Sequence, residues 1–246
     1  SNTLIGSGAG DALTDADFNV AIGQNALTTD TQGSRSTAIG RGALSTQNFS
    51  SATDSFNTAV GFAAGEAVTT GVYNTLTGAL AGDALTDADY NVAIGGLALS
   101  SETQGSNSVA IGYRALTTQN NTSATNANQT AIGTGAGASC TTANSCVFVG
   151  HGAGAAHTTG THSIYIGRDA GYHATPMTTG IQNIFIGSFT DGDANDTGAM
   201  IVMGYNVTSV GNNNFTFGNN TTDSNIQHGA TSISAPSDER LKEDIK

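Results

Sequence analysis

Tryptophan is absent from this chain of 246 residues, proline occurs twice, cysteine twice, and only 11% of residues carry charge. Cations are the scarcest group. Residues 1–236 hold four of them, Arg35, Arg41, Arg114 and Arg168, against 15 carboxylates, and the net charge of the whole chain is −12. Such a surface repels phosphate backbones, which argues against nucleic acid as a partner. No stretch approaches the roughly 18 consecutive apolar residues of a membrane span, and no signal-peptide pattern is visible, so membrane insertion is not expected. The shortage of Leu, Phe and Trp excludes an ordinary core of large side chains. Disorder by composition would require high charge, which is lacking. What remains is a narrow core of small side chains built many times over.

The two cysteines, Cys140 and Cys146, lie in SCTTANSC. Their spacing admits a small disulfide loop or two free thiols, the second being preferred, and no further ligand stands at a zinc-like interval.

Glycine, with 33 residues, marks a period. NVAIG occurs at residues 19–23 and again at 91–95, with STAIG, NTAVG, SVAIG, QTAIG, SIYIG and NIFIG elsewhere. Their terminal glycines, from Gly6 through Gly23, Gly40 and Gly61 to Gly218, are mostly 17 residues apart, with gaps of 21 before Gly61 and Gly133. A longer repeat overlies this one. Residues 2–65 align with 74–137 at an offset of 72 with 41 identities in 64 positions, so a block of four units has been duplicated.

Five residues of this kind are too short for a capped helix, and they alternate. Val20 and Ile22 share one face and Ala21 takes the other. β-Branched residues suit a pleated strand. The glycine ends the strand at a sharp corner that needs positive φ or close backbone approach. Ala26, Ala43, Ala98 and Ala115 follow at one position, where a small residue fits a narrow core, and turn-forming Thr, Asp, Asn and Ser complete the unit. The expected fold is all-β: a parallel β-solenoid or β-roll of about 17-residue coils, each a strand, a glycine corner, a short second strand and a polar turn. Backbone ladders about 4.8 Å apart make it a rod on the order of 60 Å long. The additions QNFSSATDSFN and QNNTSATNANQ are expected to bulge from one corner and are candidate receptor surfaces.

A single coil buries few large side chains, so lateral association is expected. The middle strand residue is Ala21, Ala38, Ala59, Ala93, Ala110 and Ala131, then Phe148, Tyr165, Phe185 and Val202. With Val20 and Ile22 turned inward, this changing column is expected to face a symmetry mate.

NSVAIG at residues 107–112 resembles the repeat in the head domains of YadA-type trimeric autotransporter adhesins. That resemblance implies a left-handed parallel β-roll with three chains side by side, and it covers roughly residues 2–190. The period here is longer than is usual in that family, and no heptad stalk or membrane anchor is visible.

The last ten residues, SDERLKEDIK, differ in kind and follow Pro236. Read alone, they start a charged helix with Ser237 as N-cap and Asp238 and Glu239 in its first turn. The pattern S-D-x-R-x-K also resembles the start of the endosialidase-type intramolecular chaperone domain, found at the C-terminus of phage tail spikes and tail fibres. The resemblance implies trimerisation of the client and self-cleavage before Ser237, with Ser237 as nucleophile and Lys242 as its base. A lysine of lowered pKa can activate a serine in this way. The expected organisation is a β-solenoid over 1–218, a connector over 219–236, and the beginning of that chaperone at 237–246.

Other candidates are less specific. Asp191, Asp193, Asn195 and Asp196 in DGDANDTG supply oxygen ligands for Ca²⁺, as do the aspartates of TDADFN and TDADYN, although turn formation is the preferred role. His151, His157, His162 and His173 could hold a metal if their corners stack, but are expected at the surface. No cofactor is expected. No carboxylate pair is flanked by the aromatic platforms a glycan-cleaving enzyme needs. The favoured function is a structural segment of a viral (phage) tail fibre or related extracellular appendage. It would be a homotrimer of two further identical chains, joined to other fibre or virion proteins, that reaches and attaches to a host surface receptor, a glycan among the options. A bacterial surface adhesin head is the alternative, and a polysaccharide-degrading tail spike ranks last.

Overall fold

A computed structural model of the chain describes residues 1–220 and 223–230. Every element among these residues is a β-strand. Thirteen short strands, from Thr3–Ile5 to Asn214–Gly218, pair in parallel in chain order, and Ser224–Gln227 adds antiparallel to the last of them, giving a 14-stranded sheet. Each coil therefore contributes one strand to a continuous ladder, and the β-solenoid of about 17-residue coils is the fold. The final antiparallel strand lies in the segment expected as a connector.

Register is strict. Ala21 pairs with Ala38, Ile22 with Ile39 and Phe148 with Tyr165, so equivalent residues stack from coil to coil. The corner glycine shows why the unit ends as it does. Gly23 has φ +133, and a Cβ there would lie 2.5 Å from the carbonyl oxygen of Gly40 in the next coil. Gly95 repeats this with φ +128 and a clash at 2.6 Å with Gly112. Glycine is thus required twice over, by φ and by stacking distance.

A second device is the asparagine that opens many units. The Asn74 side chain donates to Ala88 O at 2.8 Å across its own coil and accepts from Asn91 N at 2.9 Å in the next. Asn19, Asn57, Asn91 and Asn183 do the same, forming a buried ladder that satisfies backbone groups the turning chain leaves unpaired.

Two expectations are corrected. No second strand follows the glycine corner: that stretch is a series of turns, as left-handed φ at Asn25 (+56) and Leu27 (+50) requires. The short extra pairs Gly33–Ser34 with Thr53–Asp54, and Gly105–Ser106 with Thr125–Asn126, lie instead in the polar segment before the main strands.

The strand faces are also the reverse of those expected. Ala21, Ala38, Phe148, Tyr165, Phe185 and Val202 are fully buried inside the coils, whereas Val20 and Ile22 are the half-exposed outer residues. The physical reason is volume. Four residues after each corner glycine stands a second core position. Where the strand centre is Ala21, Ala38, Ala93 or Ala110, that position is Leu27, Leu44, Leu99 or Leu116, all fully buried. Where the strand supplies Leu76, Phe148 or Tyr165, the neighbouring positions are glycine. A Cβ on Gly65 would meet Leu76 at 2.6 Å, and one on Gly137 would meet Phe148 at 2.9 Å. Close packing leaves room for one large side chain per site, from one side or the other. The change from alanine to aromatics is core compensation, not a contact with a neighbour.

Candidate functional site

With the middle residues inside, the outer face of the sheet consists of the two flanking positions of each strand. These are Val20 and Ile22, Val92 and Ile94, Val109 and Ile111, Val147 and Val149, Ile164 and Ile166, Ile184 and Ile186, with threonine interspersed at Thr37, Thr58, Thr75, Thr77 and Thr130. No charged residue occurs at either position along the thirteen strands. Ile94, Ile132, Ile166 and Ile186 remain 37–40% exposed. Twelve steps of about 4.8 Å by a strand about 10 Å wide give a stripe of roughly 600 Å².

A second ladder borders the stripe at the left-handed corner five residues before each glycine. Phe18, Arg35, Phe56, Tyr73 and Tyr90 are all exposed there. Tyr73 stacks on Phe56 and on Tyr90 with ring centroids 5.1 Å apart in each case, and the Arg35 guanidinium lies 5.0 Å from the Phe18 ring centroid. Because the ring faces are spent on one another, the surface shows mainly their edges. From Asn107 to Gln182 the same corner is polar, with Asn128, Ser145 and His162 between them.

The core has its own polar seam. Asp30 and Glu102 are fully buried, and no lysine or arginine lies within 4.0 Å of either among the described residues. Asp30 accepts from Gly33 N at 2.9 Å and from the Gln47 side chain at 2.6 Å. Glu102 accepts from Gly105 N at 2.7 Å, Asn121 N at 2.9 Å and the Gln119 side chain at 2.9 Å. Each carboxylate thus ties down one of the two additions, through Phe49 N at 3.3 Å in the first and Asn121 in the second. The additions bulge only in part. Gln47, Phe49, Ser55 and Asn57 point inward and residues 50–52 are exposed. Nothing in the sequence reading singled out Asp30 or Glu102; their common offset of 72, under the two additions, was the available signal.

No family profile, curated protein or solved structure matches this chain.

Both cysteines are free and buried. Cys146 Sγ lies 3.8 Å from His157 Nε2, and Tyr165 Oη lies 3.5 Å from His157 Nδ1. His157 is fully buried, contrary to the expectation of surface histidines, while His151, His162 and His173 are exposed. Burial holds the imidazole below its usual pKa, pushes Cys146 up to about 11 and raises the Cys140 thiol well above its ordinary value. Thiols kept protonated in an apolar interior are inert, so this cluster packs the core and supplies no nucleophile.

The oxygen-rich segment is committed in part to the protein itself. Asp191 is buried, and its carboxylate accepts from His173 N at 3.0 Å and Ala174 N at 2.6 Å. Burial raises its pKa, with those bonds opposing the rise. Asn195 uses its backbone carbonyl to hold Thr178 N and Thr179 N at 3.0 and 3.1 Å, and Asp193 and Asp196 are exposed. Among the described residues no three His, Cys, Asp or Glu side chains converge to hold a metal ion. Ser237 and Lys242 lie outside the described residues.

Proposed function

We propose that this chain is a structural segment of a homotrimeric extracellular fibre, of the kind carried by phage tails. It provides reach and presentation to a host surface, and it is matured through the self-cleaving chaperone motif at Ser237 and Lys242. The observation that carries the assembly is the uncharged stripe along the outer face of the thirteen parallel strands, Val, Ile and Thr in the first eleven and joined by Met203, Phe215 and Phe217 in the last two. A solvated sheet face ordinarily alternates with charged side chains, and an exposed apolar patch of this extent marks a protein contact. Its roughly 600 Å² per chain approaches the ~800 Å² per partner of a stable interface before the aromatic corner is counted. The motifs at residues 107–112 and 237–242 support three chains and the tail-fibre setting. The test is native mass measurement on the full-length gene product. The mass should be that of three chains, each ending at Pro236, and Ser237→Ala should leave the chains uncut. Ile94→Lys with Ile132→Lys should dissociate the trimer without unfolding the coils. A monomer before substitution overturns the reading.

A further inference from the structure

On the side of the rod that follows the glycine corners lies a half-open hollow of about 230 Å³. It is bordered by Asn25 and Thr28 from one coil, Arg41, Gly42 and Ser45 from the next, and Glu66 from the third. Its residues stand two to six positions after the corner in the first coil and one to six in the second, whereas the apolar stripe occupies the strand before the corner. The two surfaces therefore lie on different sides, and the hollow stays open in the proposed trimer.

The polar groups here are of two kinds. Thr29 and Thr46, also in the lining, donate to backbone carbonyls of the next coil, at 2.7 Å to Ser45 O and 2.5 Å to Glu66 O, and so build the wall. Arg41 is different. Among the described residues it has no carboxylate within 4.0 Å, and its guanidinium is steadied over the Phe62 ring, 5.4 Å from the centroid. Glu66 likewise forms no ion pair among the described residues. A five-donor fork and a two-oxygen acceptor, neither engaged in an ion pair among the described residues, thus stand in the lining of a hollow that also includes an amide and hydroxyls.

The duplicated block supplies the decisive comparison. At an offset of 72, Asn25 becomes Leu97, Arg41 becomes Tyr113 and Gly42 becomes Arg114, within a copy that keeps 41 of 64 residues, and Glu66, the residue just after the first block, becomes Ala138. The backbone does not require the polar set, because the second copy forms the same coils without it. Gly42, with φ +70 and no side-chain heavy atom nearer than 3.7 Å to a built Cβ, leaves open the space that Arg114 occupies with a long side chain.

We infer that this hollow is a binding site for a single neutral sugar ring, the terminal hexose of a surface glycan. Adjacent hydroxyls of a pyranose both donate and accept, which suits a fork of N–H donors facing a carboxylate, as a purely anionic or cationic ligand does not. An acidic sugar would satisfy Arg41 but would meet Glu66 and a chain of net charge −12. The volume is below the roughly 300–1,000 Å³ of pockets that engulf drug-sized ligands, so one ring is held and the rest of the glycan extends into solvent.

This inference rests on the fibre reading for its biological setting, but its test is separate. Saturation-transfer NMR on the assembled protein, with methyl glycosides of glucose, galactose and mannose as probes and sialic acid and free glutamate as controls, should show saturable binding of at least one neutral glycoside at about millimolar affinity. Arg41→Tyr combined with Glu66→Ala installs the residues of the second block. It should weaken binding by about tenfold or more while leaving the unfolding temperature unchanged. Absence of transfer to any neutral hexose, transfer confined to sialic acid or to a free amino acid, or binding that survives the double substitution each overturns it. A protein that assembles as a trimer yet binds no hexose refutes this site alone; a monomer refutes the fibre.

Discussion

The two blocks at residues 2–65 and 74–137 share a coil and differ in what is hung on it. Corner glycines, strand registers and the alanine column are common to both. The edge ladder is not: Arg35 and Phe56 in the first block become Asn107 and Asn128 in the second. Beneath the additions, Asp30 with Phe49 is replaced by Glu102 with Asn121. Asp30 accepts from Gly33 N, the Gln47 side chain and Phe49 N; Glu102 accepts from the equivalent Gly105 N, Gln119 side chain and Asn121 N, and also from the Asn121 side chain at 2.8 Å. Backbone geometry is therefore the invariant of the repeat, and side chains that touch no corner are free to acquire separate roles.

The comparison breaks first at the corners. If the blocks are equivalent there, Gly23→Val and Gly95→Val should be equally severe, because each places a Cβ 2.5–2.6 Å from the carbonyl group of the next glycine at a φ near +130. Each should cost more than about 4 kcal/mol, beyond the usual range for point substitutions. Thermal unfolding of the two variants checks this. A loss confined to one block would show that the stack is not uniform, and no loss in either would remove the glycine corner from the account.

The second test concerns volume exchange. Leu76, at the start of the second block, and Phe148, 72 residues later and just past its end, fill the space above Gly65 and Gly137. Phe148→Ala should cost about 3–5 kcal/mol and Leu76→Ala about 2–5 kcal/mol. Adding Gly137→Leu to Phe148→Ala recreates the arrangement of Leu116 with Ala131 of the following coil, the leucine being left-handed at φ +50. The pair should recover at least about 1 kcal/mol, read as non-additivity in denaturant unfolding. Strict additivity would mean that the two positions do not share space.

This exchange also explains how much could be read in advance. Period, strand, corner and duplication were legible because glycine cannot be replaced where φ is positive and backbones touch. The faces were inverted because alternation tells which residues share a side, not which side is inward, and Val20 and Ile22 look more apolar than Ala21. The deciding signal was present one turn later, in the switch from AL after an alanine strand to AG near Leu76, Phe148 and Tyr165. The hollow beside Arg41 was not legible. Asn25, Arg41 and Glu66 become neighbours only when three coils stack, with the addition at residues 47–57 between the second and the third.

The smallest expected effect lies in the buried amides. In the first block the chain of bonds is complete. Gln47 donates to Asp30 at 2.6 Å, and its oxygen accepts from Asn57 at 2.9 Å. In the second block Gln119 donates to Glu102 in the same way, but its Oε1 is buried without a partner among the described residues. The residue at the position of Asn57 is Gln129, whose side-chain nitrogen is engaged with Ala143 O. Asn57 serves both Gln47 Oε1 and Gly71 O from its shorter side chain, the latter at 2.7 Å. Gln129→Asn should therefore bring a donor to Gln119 while keeping the bond across the coil. It should stabilise the protein by about 1 kcal/mol, the net worth of pairing one buried acceptor. Denaturant unfolding reads the change directly. A neutral or destabilising result would mean that the methylene lost from Gln129 matters more than the acceptor gained, and that the two blocks have settled on different but equally good cores.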